Sequence, residues 1–224
     1  MKKICLMMLV GIIAMGCKKT KTLPEEVVVE PINVDKVDGI PDKNKVLLIE
    51  EEFNSNNNAW LIFSDPNNFV NYMKIEKGLY SFYNDGRGTM LNHSNGFNFD
   101  QSKDFEIETK FKATTKRYGF YWASNDASFA HLSYRLEFDE GKMDFVDIAA
   151  GFVETYIVRD KIVESTENAV IKIRKVKNKY YFFLNQTLVY EGPYLPSKGQ
   201  SIGYMFMGRG NFDAEYMKIS RIDI

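Results

Sequence analysis

The chain has little of what metal and redox chemistry uses: two histidines and two cysteines in 224 residues. Two His exclude a His-rich metal centre. No apolar run approaches the roughly 20 residues that a membrane-spanning helix needs. Neither charge sign dominates: 29 Lys and Arg face 30 Asp and Glu, a net charge of −1. There is therefore no global electrostatic case for a nucleic-acid partner. Proline is scarce, and three of the six stand at positions 24, 31 and 41. What remains is 45% hydrophobic and 26% charged, which excludes wholesale disorder and fibrous repeats. Phe and Tyr supply 30 of the 32 aromatic side chains, enough large rings to fill the core of a β-rich domain.

The first residues read as an address. Met1-Lys2-Lys3 is followed by an apolar stretch from Ile4 to Met15 and then Gly16-Cys17, the pattern of a secretory signal. Ala14-Met15-Gly16-Cys17 resembles the lipobox of bacterial lipoproteins. That resemblance implies cleavage between Gly16 and Cys17, a diacylglycerol on the Cys17 sulfur and a third acyl chain on the new amino terminus. Each buried methylene contributes about 0.8 kcal/mol, so three chains anchor stably where one would not. Cys5 leaves with residues 1–16, so a disulfide is excluded in the mature chain. Loss of Lys2 and Lys3 shifts the balance to 27 basic against 30 acidic residues, a net charge of −3. Lys18, Lys19 and Lys21 follow the acylated position and add attraction to anionic head groups. Surface-exported lipoproteins of Bacteroidetes-type bacteria often carry acids there. The basic residues therefore favour an outer-membrane anchor facing the periplasm.

Residues 17–45 read as the acylated Cys and an extended tether, because Pro24, Pro31 and Pro41 discourage a helix. From Lys45 the apolar period is two, and residues 46–224 read as one β domain. Phe105, Ile107, Thr109 and Phe111 alternate with Glu106, Glu108 and Lys110. Leu132, Tyr134, Leu136 and Phe138 alternate with His131, Ser133, Arg135 and Glu137. Turn signals separate the strands at Lys77-Gly78, Asp85-Gly86, Glu140-Gly141, Lys177-Asn178 and Asn185-Gln186. Tyr180 to Leu184 is apolar on both faces, which predicts a central strand. The expected fold class is all-β, a two-sheet antiparallel jelly-roll sandwich.

The domain resembles the concanavalin-A-like lectin/glucanase superfamily, and within it the laminin-G-like modules of Bacteroidetes lipoproteins. Phe53 to Trp60 resembles the opening strand and Asn-rich turn, Asp104 to Glu108 a core strand, and Tyr118 to Ala123 the central aromatic strand. Ile171 to Val176 with Tyr180 to Asn185 resembles the late hairpin, although Gln186 stands where the family has Gly. Ile202 to Tyr204 and Glu215 to Ile219 complete the pattern.

The resemblance implies either glycan binding or glycoside hydrolysis, and the residues favour binding. Catalytic members carry Glu-x-Asp-x-x-Glu on one strand. Here Glu106 and Glu108 share a face, but Phe111 replaces the third acid and Lys110 is expected to keep both Glu residues charged. Arg135, Glu137 and His131 alternate onto one strand face, with His131 the available general base. A hydrolase related to 3-keto-disaccharide hydrolase domains, using Glu106, Glu108 or His131, is the alternative; a protein-interaction module is a third. For a lectin, the expected ligand-binding residues are Tyr121, His131, Arg135 and Glu137, with Trp60 and Tyr118 near strand ends, since sugar rings stack on aromatics and hydroxyls need directed partners. No cofactor is expected. Calcium is left open, with Asp100, Asp104, Asp126, Asp139 and Asp144 near turns and no ligands assigned. The expected partners are the membrane, through the anchor, and a glycan or an envelope protein.

Overall fold

Strands of alternating polarity need a second layer to cover the apolar face, and here they form two stacked antiparallel sheets. The structure, a computed structural model, describes residues 40, 42–64, 71–85, 91–114, 117–125, 132–163 and 168–224, with 42 and 91–95 described in their backbone alone. The expected signal, Cys17, nearly all of the tether, Asp126 and His131 lie outside the described residues.

Numbered in chain order, the strands begin with β1 (Lys45–Glu51), β2 (Phe63–Ser64), β3 (Tyr72–Glu76), β4 (Leu79–Asp85) and β5 (Leu91–Gly96). Next come β6 (Phe105–Ala113), β7 (Arg117–Ser124), β8 (Ser133–Asp139), β9 (Lys142–Ala149) and β10 (Val153–Ile162). The last are β11 (Asn168–Val176), β12 (Lys179–Leu184), β13 (Thr187–Pro193), β14 (Ser201–Met207) and β15 (Arg209–Ile222). One sheet has the order β13-β12-β11-β6-β15-β4-β3-β2, with β1 also paired to β15; the other runs β10-β9-β8-β7-β14-β5. The fold class is the expected jelly-roll sandwich.

Alternation decides which side chains meet between the sheets. Tyr118, Phe120 and Trp122 of β7 and Leu136 and Phe138 of β8 point inward, against Phe111, Tyr180, Phe182 and Phe212 of the nine-stranded sheet. Trp122 stacks on Phe145 and meets Phe182 edge-on, so a single indole ties the layers together. Tyr204 and Thr109 share a hydrogen bond of 2.8 Å across the core. Burial raises the pKa of the Tyr204 phenol, as expected for a group that has no water to stabilise its anion.

One detail differs from the sequence expectation. β12 lies one strand in from the edge of its sheet rather than at its centre. Its outward residues are apolar because Phe183 packs under the buried Arg174 guanidinium, 5.2 Å from the ring centre. The Asn185-Gln186 turn keeps left-handed backbone at both positions, φ 49° and 73°, the form that hairpins of this length prefer. The turn type is therefore retained with Gln where Gly would be unstrained.

Candidate functional site

The outward face of the six-stranded sheet carries the polar residues that alternation leaves over. On β7 these are Arg117, Gly119 and Tyr121; the register sets them opposite Asp139, Glu137 and Arg135 of β8. β9 continues the rows with Lys142, Asp144 and Val146, and Tyr156 of β10 lies beside Val146. Residues far apart in sequence are thus brought side by side by pairing alone.

Glu137 is the centre of this face. Only 3% exposed, it accepts hydrogen bonds from Arg117 Nε and Nη2 on Oε2, at 3.1 and 2.6 Å. Arg135 Nη2 lies 2.8 Å from Glu137 Oε1 and donates to Glu154 Oε1 at 2.5 Å. The Tyr156 hydroxyl donates to Glu154 Oε2 at 3.2 Å. Burial raises the Glu154 carboxyl, but the hydrogen bond and charge of Arg135 outweigh it and the net shift is downward. Burial lowers the Arg117 guanidinium, and Glu137 more than restores it. The result is a row of planar, fixed-charge groups running from β7 to β10. Arg135 Nε is buried and has no hydrogen-bond partner.

Beside the row lies a recess of about 250 Å³, lined by Arg117, Glu137, Asp139, Glu140, Lys142, Asp144, Tyr156 and Asp160. Lys142 pairs with Asp160 at 3.0 Å, and Asp144 Oδ1 accepts the Asp160 backbone N–H at 2.6 Å. The Arg159 guanidinium sits over the Tyr156 ring, 4.7 Å from its centre.

Arg135 and Glu137 are neighbours here, as alternation requires, but the expected aromatic platforms are not open. Tyr121 faces outward yet is 0% exposed, packed with Met205. Tyr118 is a core ring, stacked on Phe138. Trp60 is also core: its indole N–H donates to the buried Glu51 at 3.0 Å, and Asn56 brackets its backbone through two hydrogen bonds of 2.6 and 2.8 Å. The Asn-rich turn serves to lock that Trp in place. The ring that alternation did not suggest is Tyr156, which only the pairing with Val146 of β9 brings to this face. Arg117 was legible, sharing the parity of Tyr121 on the same strand.

Glu106 and Glu108 lie on the outward face of the other sheet, on the opposite side of the molecule from Glu137. Their charge partners differ from the Lys110 that the sequence suggested. Arg174 and Lys45 bind Glu106, Lys172 and the Tyr216 hydroxyl bind Glu108, and Lys110 binds Glu215. Burial raises the Glu106 carboxyl, but Arg174 and Lys45 together carry it below its ordinary value, the reverse of what an acid catalyst needs. Asp100 caps Ser102, and Asp104 accepts from Lys175 and the Lys177 N–H. Among the described residues no three His, Cys, Asp or Glu side chains are grouped to hold a metal ion.

Two antiparallel sheets in this order define a jelly-roll sandwich. The chain is similar in fold to the endo-β-1,3-glucanase from Pyrococcus furiosus (TM-score 0.55, 11% identity, 80% of this chain and 95% of that one). It is similar also to the carbohydrate recognition domain of Emp47p (TM-score 0.57, 12% identity, 82% and 99%). A third neighbour is a protein of unknown function with a galectin-like fold from Bacillus subtilis (TM-score 0.53, 9% identity, 80% and 98%). At such identities the likeness shows the fold alone. No protein-family model and no curated protein matches the chain.

Proposed function

We propose that the chain is a lipid-anchored protein of the cell envelope whose sandwich binds a glycan without cleaving it. The observation that carries the binding reading is the Arg117–Glu137–Arg135–Glu154 row beside a recess holding the half-buried Tyr156 ring. Sugar hydroxyls need directed donors and acceptors, and pyranose faces stack on rings. The non-catalytic reading rests on charge. Glycoside hydrolysis needs one carboxyl held protonated near neutral pH. Among the described residues, every carboxyl with a resolved shift (Glu76, Asp100, Glu106, Glu154 and Asp223) moves downward. The anchor reading rests on Lys2, Lys3, the apolar run and Gly16-Cys17, and the following lysines favour the periplasmic side of the outer membrane.

The test uses the full chain, purified in detergent and applied to a glycan array and to reporter glycosides. Saturable retention without turnover, weakened about tenfold by Tyr156→Ala as one stacking contact is lost, is the expected result. Turnover of any reporter, or no retention at all, overturns the binding reading. Metabolic labelling with a radioactive fatty acid tests the anchor: label that is absent, or that survives Cys17→Ala, refutes it.

A further inference from the structure

Strand β1 is an unguarded edge. It fills the half of the β15 flank that β4 leaves open, and among the described residues no strand pairs with its other side. Proteins commonly blunt such edges by shortness, charge, proline or irregular pairing. Here β2 is two residues long, β13 ends on Pro193, and β10 has two register breaks and the exposed run Arg159-Asp160-Lys161. β1 has seven residues, and its middle is Val46-Leu47-Leu48-Ile49. Val46, Leu47 and Leu48 are 41, 49 and 42% exposed. The irregularity in its pairing falls at Leu48, which it leaves without a partner on β15.

The charges at the two ends of this edge complement each other. Lys43 stands before the strand and Lys45 opens it; Glu50 lies near its end and Glu52 just beyond. Lys43 and Glu52 are exposed. Glu52 accepts a hydrogen bond from Asn54 and acts at a distance on Lys218, but neither it nor Lys43 is in an ion pair among the described residues. Consider two copies of β1 run antiparallel about a two-fold axis between Leu47 and Leu48. Lys43 then stands opposite Glu52, Lys45 opposite Glu50, Val46 opposite Ile49 and Leu47 opposite Leu48. Both lysines meet glutamates and all four apolar residues meet apolar ones, and the axis repeats every pair. Lys45 and Glu50 already hold Glu106 and Lys218 within the chain, so Lys43 and Glu52 carry the new charge contacts. The register is specific: an axis through Leu48 sets Val46 opposite Glu50, and one through Leu47 sets Lys45 opposite Ile49.

We infer that β1 is the contact between two copies of this chain, which pair edge to edge about that axis and join their nine-stranded sheets. The apolar middle of the strand supplies the buried contact, and the charged ends fix its direction and register. The Arg117–Glu137–Arg135–Glu154 row lies on the six-stranded sheet, so this inference and the glycan-binding reading stand or fall separately.

Sedimentation equilibrium of the full chain in density-matched detergent measures the self-association. The parent should be a dimer that dissociates on dilution. Leu48→Lys changes an exposed position and should be monomeric at the same concentrations, with the circular dichroism of the parent. Lys43→Glu and Glu52→Lys should each weaken the dimer about tenfold, since the axis counts each substitution twice, and Lys43→Glu/Glu52→Lys together should restore it. A monomeric parent, the outcome if a foreign strand takes the edge, overturns the inference. A dimer that Leu48→Lys leaves intact also overturns it, because shared micelles or another surface then hold the copies together. Charge reversals that have no effect, or that fail to rescue one another, refute the axis and with it the inference.

Discussion

Replacing Glu106 by glutamine leaves a guanidinium without its counter-ion in a place where water cannot reach it. Arg174 is 1% exposed and gives both Nε and Nη2 to Glu106 Oε2, while its Nη1 is buried with no partner. It therefore has no reserve acceptor. Lys45, the other cation on Glu106, is partly exposed and turns to solvent at little cost. Stranding one member of a buried pair typically costs 3–5 kcal/mol; because the Gln carbonyl still accepts one hydrogen bond, the loss for Glu106→Gln should be about 3 kcal/mol. Glu106→Leu/Arg174→Met removes both charges and should fall within about 1 kcal/mol of the parent, since apolar replacements of buried pairs are often neutral. Urea unfolding of the parent, Glu106→Leu, Arg174→Met and the double variant measures this as a cycle, with Glu106→Gln alongside. The pH dependence has a definite sign. A carboxyl whose folded pKa is depressed contributes its full stability above the ordinary value of about 4.3, and loses it as pH falls through the depressed one. Glu106→Gln should flatten that acid limb. A single variant costing under 1 kcal/mol, or a double variant as unstable as the single, refutes the reasoning.

Three further outcomes follow from packing and backbone geometry. Tyr121→Ala empties a buried site against Met205 and should cost about 3–5 kcal/mol in thermal denaturation, so it acts on the fold before it acts on any ligand. Gln186→Gly relieves left-handed backbone at φ 73° and should stabilise by about 1 kcal/mol, a rise in Tm of roughly 2–4 °C. Gly119→Ala places a Cβ 2.4 Å from the Leu136 carbonyl oxygen and 3.1 Å from Met205 Cγ, between β8 and β14, and should cost at least about 1–3 kcal/mol by the same assay.

The strands were legible because a one-residue change of parity moves a side chain from core to solvent, and the apolar residues of β6 and β8 keep that parity throughout. The two-residue turns at Lys77-Gly78 and Glu140-Gly141 were legible for a related reason: each pairs a φ near 50° with a glycine at positive φ. The site was legible only in part. Arg135 and Glu137 follow from alternation on one strand, whereas Glu154 and Tyr156 join them through pairing across β9 to a bulged strand, which no local pattern encodes. Burial was the least legible quantity. Trp60, Tyr118 and Tyr121 have the chemistry of sugar platforms, and only their neighbours, Glu51, Phe138 and Met205, show that each is enclosed. The same holds for Glu106, whose partner Arg174 lies 68 residues away.

Strand β15 follows the other fourteen in the sequence, yet it lies inside its sheet, paired to β6 along one edge and to β4 and β1 along the other. A chain threaded only as far as residue 208 therefore has two part-sheets with bare edges where β15 belongs. Such edges recruit whatever strand arrives first, from the same chain or another. Closure must wait for pairings that span most of the sequence, and loop closure over such distances makes folding slow.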